Sequence, residues 1–188
     1  MLDGFLGTDI KMKHYTYAEY MTWNGDVRYE LIDGVPCALA SPSTIHQRVS
    51  RELTLNIGNY LKGKSCELFV APYDVRLNVD TGDDTVVQPD LFVVCDKSKL
   101  DGQACLGAPD LVIEILSPST ARFDMLIKFQ KYMKAGVREY WIVDPESKTV
   151  NAFILENNKY VSYIYAEEDT ITSQVLDGCS VKLADVFE

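Results

Sequence analysis

The sequence predicts a mixed α/β or α+β fold: a central mixed sheet flanked by helices, with an N-terminal hairpin and a β-rich C-terminal extension. Three observations lead there. Two stretches read as long helices, Thr44 to Leu61 and Ala121 to Ala135. Short runs rich in β-branched and aromatic residues lie before, between and after them. Beyond Asp144-Pro145 the chain reads as strands alone.

In order along the chain, Thr16-Tyr17-Ala18-Glu19 is a capping box that opens a short helix. Arg28 to Ile32 and Val35 to Ala40 flank Asp33-Gly34, a dipeptide suited to a type I′ hairpin turn. Ile45, Val49, Leu53, Ile57 and Leu61 recur every fourth residue and mark the apolar face of the first long helix. Leu68 to Leu77 alternates as a strand, and the acidic Asp80-Asp84 loop turns into a second strand, Val86 to Val94. Lys97 to Gly107 reads as a polar connection, and Leu111 to Leu116 as a strand. The second long helix stops at Gly136, a C-terminal cap. Arg138 to Val143 is a strand, and Val150 to Leu155 with Tyr160 to Tyr165 is a hairpin around Glu156-Lys159. Ser-Pro-Ser-Thr occurs at Ser41-Thr44 and Ser117-Thr120, each time before a helix; the flanks differ, so it reads as a helix-start device used twice.

The length of 188 residues and a hydrophobic fraction of 47% fit a single domain over residues 1–188, with residues 1–14 as a flexible leader. No apolar run is long enough to span a bilayer, and Met1-Phe5 lacks the pattern of a signal peptide. The five cysteines are odd in number and form no C-x-x-C pair, which points away from disulfides and zinc and toward a reducing cytoplasm. Two histidines rule down a multi-histidine metal site. A net charge of −10 weighs against tight, sequence-independent DNA binding. Basic residues do cluster at Arg48-Arg51, Lys62-Lys64, Lys97-Lys99 and Arg122-Lys134, which leaves room for a local basic face.

The chemistry concentrates in two apolar strands that carry acids. Asp90 follows Pro89, and Glu114 interrupts Leu111-Val112-Ile113 and Ile115-Leu116. A carboxylate in such a run is costly to bury without a partner. If the two strands are neighbours, Asp90, Glu114 and a backbone carbonyl, that of Ile115, form an oxygen set suited to Mg²⁺ or Mn²⁺. Lys128, on the following helix, would be the cation that orients or activates the attacking water on a phosphodiester. Each residue also has a structural reading. Asp90 suits a turn before a strand, Lys128 pairs at i,i+4 with Asp124 for ~0.2–0.5 kcal/mol, and Glu30 suits a cross-strand pair in the first hairpin. Asp110 suits a strand start, His46 a helix cap or surface position, and Tyr132 core packing.

Gln88-Pro89-Asp90, Pro109-Asp110-Leu111-Val112-Ile113-Glu114, Ser117-Pro118-Ser119, Lys128 and Gly136-Val137-Arg138-Glu139-Tyr140-Trp141 together resemble the Uma-type endonuclease family of bacteria, within the PD-(D/E)XK or restriction-endonuclease-like superfamily. Tyr29-Glu30-Leu31-Ile32-Asp33-Gly34 and His46-Gln47 fit the same family's early segment. The resemblance runs from about Tyr15 to Phe187 and implies a restriction-endonuclease-like core, metal at Asp90 and Glu114, and Mg²⁺-dependent cleavage of DNA by a homodimer. The superfamily's usual lysine would stand two residues after Glu114, where this chain has Leu116; Lys128 is then the migrated lysine. Glu30 supports the site in this reading, with His46, Asp110 and Tyr132 as second-tier candidates. Two other classes stay open: a non-catalytic nucleic-acid-binding or assembly module, and a metal-dependent phosphohydrolase on small substrates. A basic strip of Arg48, Arg51, Lys62 and Lys64 facing the cleft would favour nucleic acid, an acidic rim the alternatives.

Overall fold

The structure is a computed structural model that describes residues 13–117 and 121–188, the side chains of 121–125 excepted. The expected leader therefore lies outside the described residues but for its last two, and so does all but Ser117 of the second Ser-Pro-Ser-Thr.

Local chemistry sets the first elements. In α1 (Tyr17–Tyr20) the Glu19 carboxylate accepts the Thr16 amide at 3.1 Å, the return arm of the capping box. β1 (Tyr29–Ile32) and β2 (Val35–Ala38) join through Asp33 and Gly34 at φ 49° and 74°, the left-handed pair that a type I′ turn requires. α2 (Thr44–Leu61) starts at Ser43, whose hydroxyl accepts the His46 amide at 3.3 Å. Its buried stripe is His46, Val49, Leu53, Ile57 and Leu61, so the first position differs from expectation: Ile45 is 42% exposed. A 3.6-residue period runs back from Val49 to position 46 as well as to 45, and the sheet lies on the His46 side.

Two expected strands are each broken at a proline. Leu68 to Leu77 becomes β3 (Glu67–Val70) and β4 (Asp74–Arg76), interrupted at Pro72. Val86 to Val94 becomes β5 (Val86–Val87) and β6 (Leu91–Val94), interrupted at Pro89. Proline has no N–H for a ladder, and at both breaks the chain changes sheet. The smaller sheet has the order β2-β1-β5-β4-β7, where β7 (Ala104–Leu106) lies parallel to β4 in the segment expected as a polar connection. Three residues are too few to show a period.

β8 (Leu111–Ile115), α3 (Ala121–Ala135) and β9 (Glu139–Asp144) form a parallel crossover. β10 (Thr149–Glu156) and β11 (Lys159–Ala166) extend the larger sheet, whose order is β11-β10-β9-β8-β6-β3. β12 (Thr170–Thr172), β13 (Ser180–Lys182) and α4 (Leu183–Val186) close the chain. One face of the larger sheet packs Leu91, Ile113 and Trp141 against Val49, Leu53 and Ile57 of α2. The opposite face sets Phe92, Val112 and Tyr140 against Tyr132 of α3 and Val75 and Val87 of the smaller sheet. Each such fully buried aliphatic side chain contributes roughly 1.5–3 kcal/mol. Alternation puts Glu114 on the second face, with Val112.

The cysteines depart from expectation. Cys66 and Cys95 form a disulfide, because the antiparallel register that pairs Glu67 with Val94 brings them opposite each other one step further on. A separation of 29 residues hides this in the sequence. The expectation of a reducing cytoplasm rested on unpaired cysteines and loses that support. No helix among the described residues is long and apolar enough to cross a membrane.

Candidate active site

The site forms where the chain passes from the smaller sheet to the larger one. The register that pairs Leu91 with Ile113 ends one residue short of Asp90 and Glu114, which leaves the two acids close enough for the charge of Asp90 to act on Glu114. Asp90 follows the break at Pro89 and is partly exposed; its Oδ2 accepts the Ile115 amide at 2.8 Å and stands 3.1 Å from Nε2 of His46. Glu114 Oε1 accepts from the Tyr132 hydroxyl at 2.6 Å and from Lys128 Nζ at 3.1 Å. Lys128 also donates to Glu30 Oε1 at 2.8 Å, and Lys131, one turn on, reaches Asp33 Oδ2 at 2.6 Å. Two lysines thus tie α3 to the first hairpin. The i,i+4 partner Asp124 lies among the residues whose side chains are not described.

A further layer escaped the sequence reading. The Gln88 amide donates to Glu30 Oε1 at 2.7 Å, while its side chain donates to Asp74 Oδ1 at 2.9 Å and to the Tyr20 hydroxyl at 3.2 Å. Gln88 stands in the Gln-Pro-Asp motif, which was a usable signal; Tyr20 and Asp74 carried none. Burial pushes the Asp74 carboxyl up, against the hydrogen bonds from Gln88 and Tyr20.

The electrostatics are unbalanced. Two carboxylates, Glu30 and Glu114, converge on the Lys128 ammonium, while Asp90 beside them pairs with His46. Burial is the main cause that pushes Glu114 up to about 7; Asp90 and Glu30 push the same way and Lys128 pulls against them. Burial opposes the Lys128 ammonium, but Glu114 and Glu30 hold its pKa well above the usual lysine range. Lys128 is therefore a fixed cation rather than a base at neutral pH. Burial also acts against the His46 imidazolium, yet the Asp90 contact and the charges of Asp90 and Glu114 keep its pKa raised. Tyr132 stays a neutral donor, its pKa raised first by burial and then by Glu114.

Of the sequence-predicted residues, Asp90, Glu114, Lys128, Glu30, His46 and Tyr132 meet here. Asp110 does not join them: its Oδ2 accepts the Cys95 amide at 2.6 Å and its Oδ1 pairs with Arg138, which fits the strand-start reading. Ile115 meets Asp90 through its N–H. The N–H and C=O of one residue in an antiparallel ladder project to the same side, so its carbonyl also faces the β6 side.

Among the described residues no three His, Cys, Asp or Glu side chains group in a metal-holding arrangement. Two do suffice for Mg²⁺, which keeps several waters and takes one or two protein carboxylates. None of the hydrogen bonds above uses Oδ1 of Asp90 or Oε2 of Glu114, and the excess negative charge is what a divalent ion would offset. The donor set fits such an ion. Beside Asp90 and His46 runs a groove of about 270 Å³, walled by Gln47, Ser50, Arg51 and Thr54 of α2. Among the described residues that line it, Asp90 is the only acid. Of the expected basic strip only Arg51 lines it; Lys62 bonds Asn59, and Lys64 lies over the Tyr60 ring.

The profile of the Uma2 family, described as "Putative restriction endonuclease", matches residues 17–184. An uncharacterized protein of Synechocystis sp., slr1290, is 30% identical over 138 residues, 72% of this chain and 71% of that protein. A second from the same organism, sll1609, is 31% identical over 141 residues, 70% and 76% of the two chains. A crystal structure of "a putative nuclease belonging to DUF820" from Anabaena variabilis is similar at a TM-score of 0.76 and 18% identity, over 92% of this chain and 97% of that one. At that identity the likeness is one of fold, and it agrees with the mixed sheets and flanking helices expected from the sequence.

Proposed function

The chain belongs to the Uma2 family, and on that premise we propose that it is a metal-dependent endonuclease that hydrolyses phosphodiester bonds in DNA. Family and fold support a nuclease-like function; the metal, the substrate and the residue roles are our reading. The observation that carries it is the meeting of Glu30, Glu114 and Lys128, from β1, β8 and α3, next to Asp90 in the turn before β6, which lines a groove. Asp90 and Glu114, with the Ile115 carbonyl, would hold Mg²⁺ or Mn²⁺. Such an ion, when bound, lowers the pKa of a bound water and stabilises charge on a phosphate.

The remaining residues have distinct tasks. Lys128, protonated at neutral pH, orients the attacking water and offsets charge on the phosphoryl oxygens; it takes no proton. Glu30 fixes the ammonium, and the Gln88 amide fixes Glu30. His46 and the Ile115 amide orient Asp90 by holding Oδ2. Tyr132 does the same for Glu114. Arg51 in the groove is paired with Glu52, so the nucleic-acid substrate in this reading rests on the family and not on the charge of the groove.

Supercoiled plasmid, incubated with Mg²⁺, Mn²⁺ or chelator, tests this. Nicked and linear products are expected with metal alone, reduced at least about 100-fold in Lys128→Ala and lost in Asp90→Ala and Glu114→Ala. Undiminished cleavage by both carboxylate variants would overturn the site, and no product from wild type would favour the non-catalytic module.

A further inference from the structure

Among the described residues β11 is the long edge of the larger sheet, capped only at Ala166. It has eight residues, against four in β3 at the other edge and four and three in β2 and β7 of the smaller sheet. Natural edges are blunted by proline, bulges, charge or short length. Lys159-Tyr160-Val161-Ser162-Tyr163-Ile164-Tyr165-Ala166 has no proline, no break in its register with β10, and a single charge at one end. It also displays apolar side chains on both faces: Val161 is 38% exposed, Tyr163 46% and Ile164 74%.

The hairpin decides which backbone groups are free. Asn157 and Asn158, at φ 50° and 63°, make a two-residue type I′ turn closed by Glu156 and Lys159. That closing pair is hydrogen-bonded, so Lys159, Val161, Tyr163 and Tyr165 turn their N–H and C=O toward β10. Tyr160, Ser162, Ile164 and Ala166 turn theirs outward. The Ala166 N–H is already given to Asp169 Oδ2 at 2.8 Å. Three outward-facing residues remain, and Ser162 is the middle one.

We propose that β11 is the homodimer interface, pairing antiparallel with the β11 of a second copy about a two-fold axis at Ser162. That axis sets Ser162 opposite Ser162 and Tyr160 opposite Ile164, so the outward N–H and C=O groups of all three residues find partners. It also sets the exposed Val161 against the exposed Tyr163. A dyad at Tyr163 instead would pair Tyr160 with Ala166, whose N–H is taken. The strand is thus self-complementary in one register, which is why the occupant is a second copy of this chain. Asp90, Glu114, Glu30 and Lys128 all come from one chain and none lies on β10 or β11, so each subunit keeps a whole site. The interface therefore stands or falls independently of the nuclease reading.

Sedimentation velocity at micromolar concentration should give twice the 21.2 kDa chain mass for wild type and the single-chain mass for Ile164→Lys and Ser162→Pro. Proline at 162 removes only an outward N–H, so circular dichroism should remain that of wild type. In a Cys37→Ser background, Ser162→Cys should cross-link two chains on oxidation, the Cα atoms of a hydrogen-bonded pair being about 5.5 Å apart. Tyr163→Cys should not. A monomeric wild type, a dimer that survives both edge variants, or cross-linking through Tyr163→Cys in place of Ser162→Cys would overturn the proposal.

Discussion

The Lys128 ammonium lies 2.8 Å from Oε1 of Glu30, a residue 98 positions earlier, and both side chains are buried. Removal of the cation leaves Glu30 and Glu114 without it. Lys128→Met should therefore destabilise the metal-free protein by about 3–5 kcal/mol in urea unfolding at pH 8. Adding Glu30→Gln should recover part of that loss, since one of the stranded charges is then gone. A fully additive double variant would show that the two residues are not coupled.

Stability should fall with pH around neutrality. Glu114 titrates at about 7 in the fold, chiefly through burial, against an ordinary value of 4.5. Between these values the folded state holds a proton that the unfolded state has released, so stability drops as pH rises from about 4.5 to about 7 and this slope ends above it. Urea midpoints of metal-free wild type should decline over that window relative to Glu114→Gln. Metal affinity should climb over the same window, because the carboxylate must be ionised to bind.

His46 should matter to metal affinity through Asp90. Its Nε2 fixes one oxygen of Asp90, and loss of such outer partners weakens metal sites 10- to 100-fold. His46→Ala should weaken Mn²⁺ binding, measured by calorimetry, by roughly tenfold or more. Mn²⁺ at ten times its Kd should stabilise wild type by about 1.4 kcal/mol and leave the Asp90→Asn/Glu114→Gln double variant unchanged.

Glu139 should be a structural acid. It is 1% exposed, and it accepts the Trp141 indole at 2.7 Å, the Ser173 hydroxyl at 2.7 Å and the amides of Gln174 and Val175 at 2.9 and 3.0 Å. These bonds hold the segment before β13 against β9. Glu139→Ala strands buried donors and should cost about 3 kcal/mol or more in unfolding free energy. Cleavage by the folded fraction should persist.

Elements with strong local signals were legible in the chain: the Asp33-Gly34 turn, α2 with its four-residue repeat, and α3 up to Gly136. Asp90 and Glu114 stood out because an acid in an apolar strand needs a reason. The breaks at Pro72 and Pro89 were less legible, since a proline shows where a ladder fails and not where the chain goes next.

By itself, then, the sequence determined the α+β class, the family pattern and the chemical types gathered at the site. Tertiary structure alone decided that Glu30 and Lys128 are partners, that His46 faces Asp90 while Asp110 bonds the Cys95 amide, and that Cys66 meets Cys95. The physical reason is common to all of them. Local propensity acts over a turn or a pleat, whereas these contacts join residues 15 to 98 positions apart, and only sheet register and helix docking bring them within bonding distance.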